Sequence, residues 1–281
     1  MTTRRAVFLD FDGTLGEFGV VPPAHVQAIA DARAHGHAVF LCTGRPISMV
    51  PADIQAALDG VVGSAGCYIT VGGEVLQDIR FPDDIAARTL EALLRHDVPF
   101  VLESPDGAFG TPDGTERLHL LMESFGLDGA EVVPGSLGRG APDILDAVRT
   151  PASLSDVSFA KAVMWASHVP AEQLADEISP DVRPMPNSIA SDGTNSGELQ
   201  LWAVDKIDGV RAVARHLGVP MEDTVACGDG LNDVDMLRAA GASVVIEGSS
   251  AAREVQSPTL VVPGPGRAGL VGAFEKLGLF A

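Results

Sequence analysis

The chain is poor in cysteine, in large aromatics and in positive charge. Its 281 residues hold three cysteines, one tyrosine and two tryptophans. Cys42, Cys67 and Cys227 are too few and too scattered for a disulfide framework, and their spacing matches no zinc site. They read as buried apolar thiols in a reducing compartment. Lys and Arg number 19 against 38 Asp and Glu, a formal net charge of −19. That deficit excludes nucleic acid as a general partner, because binding its backbone needs clustered cations. It also speaks against docking on an anionic membrane surface. No apolar run approaches the roughly 20 residues of a membrane span, and Ala6 to Leu9 is too short for the apolar part of a signal peptide. The expected setting is the cytoplasm.

What is present is an ordinary globular composition, 46% hydrophobic and 20% charged. The length allows one large or two modest domains, at roughly 100–200 residues each. At both ends of the chain short apolar runs alternate with helical segments. Ala6 to Leu9 reads as a strand closing on Asp10-Phe11-Asp12-Gly13, and Ala24 to His35 as a helix with Val26, Ile29, Ala30 and Arg33 at helical spacing. Ala38 to Cys42 is a second strand, ending at Thr43-Gly44-Arg45, and a helix from Pro46 runs to about Gly60. Leu199 to Val204, Thr224 to Cys227, Ser243 to Ile246 and Thr259 to Val262 read as further strands, with helices at 207–217 and 233–240. Units of roughly 30 residues of this kind predict βαβ crossovers and a parallel, doubly wound Rossmann-like sheet.

The middle departs from this grammar. Phe81-Pro82 and Pro184-Met185-Pro186 bracket helices at 83–96, 112–125 and 170–178, strands at 99–103 and 157–166, and a Gly- and Pro-rich loop at 134–142. The expectation is therefore an α/β fold with a discontinuous core, 1–81 and 187–281, and an inserted α+β domain, 82–186. The insertion carries 18 acidic and 7 basic residues, the simplest reading of which is a solvated face.

Chemistry-bearing residues gather at the carboxyl ends of the predicted parallel strands, where open α/β sheets bind ligands. They are Asp10 and Asp12, Thr43, Lys206, and Asp229 with Asn232 and Asp233. Several carboxylates in one pocket need a cation, and oxygen ligands suit Mg²⁺. Mg²⁺, a lysine and a threonine hydroxyl together suit a phosphoryl group. One aspartate can attack phosphorus, and a second carboxylate can move the leaving-group proton.

In this arrangement the chain resembles the haloacid dehalogenase superfamily. Phe8-Leu9-Asp10-Phe11-Asp12-Gly13-Thr14-Leu15 is similar to its first motif, Thr43-Gly44-Arg45 to its second, Lys206 to its third, and Gly228-Asp229-Gly230-Leu231-Asn232-Asp233 to its fourth. An insertion between the second and third motifs is where Cof-like members carry an α/β cap. The resemblance implies that Asp10 is nucleophile and metal ligand. It makes Asp12 the general acid/base and a ligand through its carbonyl. Thr43 and Lys206 hold the phosphoryl group, and Asp229 binds Mg²⁺. Asp233 supports the metal or positions Lys206. Gly44, Arg45 and Asn232 are implied at the substrate. An aspartate at position 12 favours phosphomonoester hydrolysis over dehalogenation or ion pumping. Two departures stand out: Ser64-Ala65-Gly66-Cys67 where the family often has Asn-Gly, and Ile207-Asp208-Gly209 where Gly commonly follows the lysine directly.

Other candidates read as structural. Asp235 suits a solvated first helical turn, His119 and His168 a surface or packing role, and Trp165 and Trp202 the core. The expected activity is Mg²⁺-dependent hydrolysis of a small phosphorylated metabolite, with a sugar or polyol phosphate favoured by the resemblance. A phosphometabolite-binding protein with little turnover, and a phosphotransferase to a second sugar, are the alternatives. Monomer and homodimer are both compatible with the sequence.

Overall fold

A computed structural model describes residues 3–124, 132–186 and 195–281. Fourteen strands form two sheets among these residues. The first holds β1 (Ala6–Leu9), β2 (Ala38–Cys42), β3 (Gly60–Gly63), β4 (Tyr68–Val71) and β5 (Glu74–Asp78). The second holds β6 (Phe100–Ser104), β7 (Gly107–Gly110), β8 (Val148–Arg149), β9 (Lys161–Ser167), β10 (Val182–Met185) and β11 (Asn195–Leu201). The chain then returns to the first sheet with β12 (Thr224–Gly228), β13 (Ala242–Ile246) and β14 (Leu260–Val262).

The first sheet has the order β14-β13-β12-β1-β2-β3-β4-β5. Its strands from β14 to β3 run parallel, and β4 and β5 add an antiparallel edge hairpin absent from the sequence reading. From β1 the chain winds outward through β2 and β3, and later outward the other way through β12, β13 and β14. The strand order therefore reverses between β1 and β12, where Leu9 lies beside Cys227. This switch point is where a crevice opens beyond the strand ends.

Helices α1 (Pro23–Ala34) and α2 (Ala52–Ala57) precede the second sheet. The insertion supplies α3 (Asp83–Arg95), α4 (Pro112–Ser124), α5 (Ala141–Leu145) and α6 (Ala171–Ile178). The remainder are α7 (Lys206–Leu217), α8 (Val234–Ala239), α9 (Ser250–Glu254) and α10 (Gly269–Lys276). Val7 and Leu9 of β1 pack with Ile29, Leu270 and Phe274 on one face of the first sheet. Ala6 and Phe8 pack with Val210, Val213 and Met236 on the other. Burial on both faces explains why these strands read as unbroken apolar runs rather than alternating ones. The buried stripe of α1 is His25, Ala28, Ile29 and Ala32, one residue round from the expected face, and Ala30 is exposed. The helix expected from Pro46 to Gly60 is a 3₁₀ turn at Ile47–Met49 followed by α2, because Pro51 interrupts it. All three cysteines are free and buried, as expected. Burial pushes the Cys42 thiol up to about 12 and the Cys67 thiol up to about 11.

The second sheet has the order β10-β11-β9-β6-β7-β8. Phe100, Leu102, Ala162, Met164 and Leu199 pack on one face beneath α3 and α6. The strand expected at 199–204 within the first sheet is instead β11, hydrogen-bonded to β9 and β10 in the second. The chain thus returns to the first sheet after Leu201 and not at 186/187. Residue 187 itself, and Phe125 at the expected end of α4, lie outside the described residues. Trp165 is fully buried, whereas Trp202 is 61% exposed and lies over the Arg183 guanidinium at 5.4 Å, so the expectation of a core role holds for Trp165 alone. His119, His168 and Asp235 are exposed. No helix among the described residues is long and apolar enough to cross a membrane.

Candidate active site

The loop after β1 places Asp10 at the switch point, with its N–H donated to the Cys227 carbonyl at 2.9 Å. Gly13 follows with φ +86, in the left-handed region that glycine tolerates. A Cβ there would lie 2.6 Å from Asp229 Oδ2, so the glycine lets the first and fourth motifs touch. Thr14, fully buried, closes the contact by donating its hydroxyl to Asp229 Oδ1 at 2.7 Å. Thr14 belongs to the Asp-Phe-Asp-Gly-Thr run, but nothing local in the sequence signals this contact with a residue 215 positions away.

Lys206 opens α7, which Asp205 and Asp208 cap reciprocally. This start aims the lysine side chain into the crevice. Its Nζ lies 2.6 Å from Asp10 Oδ1 and 2.6 Å from Asp233 Oδ1, and Lys206 is 1% exposed. The two carboxylates hold its ammonium well above the usual lysine range despite burial. Asp233 Oδ2 accepts the backbone N–H groups of Asp229 and Gly230. Both oxygens of Asp233 are therefore engaged with protein.

Oxygen atoms of Asp10, Asp229 and Asp233 all lie within 4.8 Å of one another. Burial, and for Asp10 also the charge of Asp233, pushes the Asp10 carboxyl well above the usual carboxylate range; burial likewise raises Asp229. Such a set is relieved by a divalent cation with oxygen preference, so the residues fit Mg²⁺. The Asp12 carboxylate is not part of this group.

After β2, Thr43 is buried and its Oγ1 accepts the Arg45 N–H at 3.1 Å, which leaves the hydroxyl proton available to an anion. Arg45 turns its guanidinium onto Asp12, with Nε 2.7 Å from Oδ2 and Nη2 2.5 Å from Oδ1, and lies over the Phe11 ring at 4.6 Å. Asn232 is half-buried and folds over Gly230, where a Cβ would meet its Oδ1. Ser64, Ala65 and Gly66 all have positive φ. The departure from Asn-Gly noted in the sequence thus leaves two non-glycine residues in the left-handed region, at a cost of roughly 1–2 kcal/mol each.

Asp10, Asp12, Thr43, Lys206, Asp229 and Asn232 line a cavity of about 620 Å³ together with side chains from the second sheet, including Glu103, Lys161, Arg183, Glu198 and Gln200. None of the five was proposed for the site from sequence. The available signal was a lone charge inside an apolar strand, as in Phe100-Val101-Leu102-Glu103 and Lys161-Ala162-Val163-Met164. Lys161 Nζ reaches the Gly44 carbonyl at 3.0 Å, and Ser48 donates to the Ser104 carbonyl at 2.8 Å, so the two sheets meet at the second-motif loop.

A switch-point crevice with three carboxylates, a lysine and a threonine hydroxyl gives this α/β protein a donor set suited to an oxyanion and a cation. Residues 7–257 match the family of haloacid dehalogenase-like hydrolases, and the chain belongs to that family. YkrA of Bacillus subtilis strain 168 is 22% identical over 98% of each chain. Phosphoserine phosphatase SerB2 of Mycobacterium tuberculosis is 40% identical over 95 residues, 33% of this chain and 23% of that protein. The chain matches less than half the length of SerB2 and of the Streptomyces coelicolor phosphoserine phosphatase. Among solved structures, the subclass IIB sugar phosphatase BT4131 superposes with TM-score 0.76 at 21% identity, covering 98% of this chain and 99% of its own. TM0651 of Thermotoga maritima gives 0.70 at 17% identity, covering 98% and 97%. At such identities the likeness establishes the fold.

Proposed function

We propose that the protein is a Mg²⁺-dependent phosphatase acting on a small organophosphate monoester through an aspartyl-phosphate, with a sugar or polyol phosphate as the favoured class. The single observation that carries this reading is Lys206 Nζ set between Asp10 and Asp233, beside Asp229.

Asp10 and Asp229 would hold the cation, with the Asp12 carbonyl as the family likeness implies, and Asp233 fixes Lys206 and the fourth-motif loop. The metal, when bound, screens the carboxylates and polarises the phosphoryl group. Lys206 fixes the orientation of Asp10 through Oδ1. The Asp10 carboxylate attacks phosphorus, forming the new O–P bond as the ester O–P bond breaks. Asp12 gives its proton to the leaving oxygen. Asp12 then takes a proton from water, whose oxygen attacks phosphorus; the aspartyl–phosphate bond breaks and Asp10 is regenerated. Thr43 donates its hydroxyl, and Lys206 its charge, to the phosphoryl oxygens. The second sheet screens this chemistry from bulk water.

The test is phosphate release from an aryl phosphate with Mg²⁺. Wild-type turnover should vanish with Asp10→Asn and with EDTA; undiminished turnover in Asp10→Asn removes the mechanism.

A further inference from the structure

The second sheet presents a polar row to the crevice, and its charges are self-compensated. Register places Arg183 opposite Gln200, Gln200 opposite Lys161, and Lys161 opposite Glu103, so one transverse row crosses β10, β11, β9 and β6. Side chains alternate faces along a strand. Leu102, Ala162, Leu199 and Leu201 therefore face α3 and α6, while Glu103, Lys161, Glu198 and Gln200 share the opposite face and line the cavity.

Lys161 is 2% exposed, and its Nζ lies 3.0 Å from Glu103 Oε2, 3.1 Å from Glu198 Oε2 and 3.0 Å from the Gly44 carbonyl. An ammonium has three protons, and three acceptors surround this one. Arg183 faces Asp205 at 3.3 Å, Arg45 is forked onto Asp12, and Lys206 lies between Asp10 and Asp233. Each Lys or Arg lining the cavity is thus already opposed by a carboxylate among the described residues, and Lys161 and Lys206 by two each. Residues 125–131 and 187–194 contribute no Lys, Arg or His to the sequence. Hydrogen-bonding capacity, by contrast, is left over: Arg183 Nε is buried without a hydrogen-bond partner. An unmet buried group costs about 1–3 kcal/mol, which a ligand bearing the matching group recovers.

We infer that this row selects the leaving group, taking phosphate esters whose far end carries neutral hydrogen-bond donors and excluding those with a second anionic group. The inference rests on the phosphatase reading of the same site and narrows it. A second phosphate or a carboxylate would meet Glu103 and Glu198 with no free cation to offset them. Hydroxyl groups can donate to those carboxylates and accept from Arg183 and Gln200.

The matched probes are sorbitol 6-phosphate and 6-phosphogluconate, six-carbon chains that differ at the far end by a hydroxymethyl against a carboxylate. At pH 8.5, calorimetric binding to Asp10→Asn protein with Mg²⁺, and kcat/KM for phosphate release by the wild type, should both favour sorbitol 6-phosphate by about tenfold or more. Glu103→Gln should shrink the ratio at least about threefold; Glu198→Gln supplies the same test should Glu103→Gln not fold. A binding ratio of one or below, weak or absent binding of both probes included, overturns the inference, as does a ratio unmoved in the folded variants. Failure to release phosphate from either probe and from an aryl phosphate refutes the phosphatase reading instead, while the binding ratio still decides the charge rule.

Discussion

Arg45 grips Asp12 with two parallel N–H···O contacts while its guanidinium lies over the Phe11 ring. The fork leaves Asp12 one orientation, and Phe11, fully buried, anchors the arginine. In the proposed mechanism Asp12 moves the leaving-group proton, so Arg45 is its positioning residue. Arg45→Ala should lower kcat about 10- to 100-fold, part of the 10²–10⁴ that general acid–base catalysis supplies. An alkyl phosphate, whose leaving oxygen needs the proton, should suffer more than a nitrophenyl phosphate, whose leaving group does not. Equal losses on both substrates would show that Arg45 acts elsewhere.

Asp233 is the hub of the buried charges, with one oxygen on Lys206 and the other on two backbone N–H groups. Asp233→Asn removes the charge and presents an amide N–H₂ where only acceptors fit. Breaking one side of a buried ion pair costs about 3–5 kcal/mol, and Asp10 still partners Lys206, so a loss near the lower end is expected in urea unfolding. Turnover should fall at least about 100-fold. Unchanged stability would mean that the pair contributes nothing to holding the loop.

On the proposed reading, the clustered carboxylates would tie Mg²⁺ to stability and to pH. Mg²⁺ at 100 times its Kd should raise folding stability by about 2.7 kcal/mol, seen as a higher melting temperature. Asp229→Asn should abolish that rise. Because the Asp10 and Asp229 carboxyls sit above the usual range, they protonate early as pH falls, and protons compete with the metal. Mg²⁺ affinity should therefore be weaker at pH 5 than at pH 7.5. A melting temperature insensitive to Mg²⁺ would refute the site.

Glu103 predicts a second pH dependence, in the protein alone. Burial, aided by the charge of Glu198, outweighs Lys161 and pushes its carboxyl up to about 7 from an ordinary 4.5. A carboxyl raised in the folded state favours folding fully below about pH 4.5, and that contribution is lost as pH rises through 7. Relative to wild type, Glu103→Gln should gain stability between these limits, on the order of 3 kcal/mol in all. Urea midpoints of the two proteins at pH 5 and pH 8 check it; a constant difference would show that Glu103 stays ionised throughout.

The reach of the sequence was set by locality. The strands and the loops that end them are short and self-contained, so Asp10, Asp12, Thr43, Asp229 and Asp233 could be placed at the ends of first-sheet strands from spacing and apolar runs, whereas Lys206 opens α7 after β11 of the second sheet. Burial on both faces made those runs conspicuous. A side chain buried against partners far along the chain leaves a weaker mark. Lys161 stands 58 residues after Glu103 and 37 before Glu198, and only the register of β6, β9 and β11 brings them onto one face. The same register takes β11 from the first sheet into the second; the expected strand at 199–204 shares only Leu199, Gln200 and Leu201 with it, and those three residues alone do not say which sheet they pair with. Arg45 shows the same division. Its place beside Thr43 is written in the sequence, whereas its grip on Asp12, 33 residues away, comes from the parallel pairing of β1 with β2. The sequence by itself determined the fold class and the chemical groups of the site; the tertiary structure decided which charges neutralise one another. Backbone propensity and apolar patterning act over a few residues, whereas ion pairing acts through space across whichever strands the fold makes neighbours.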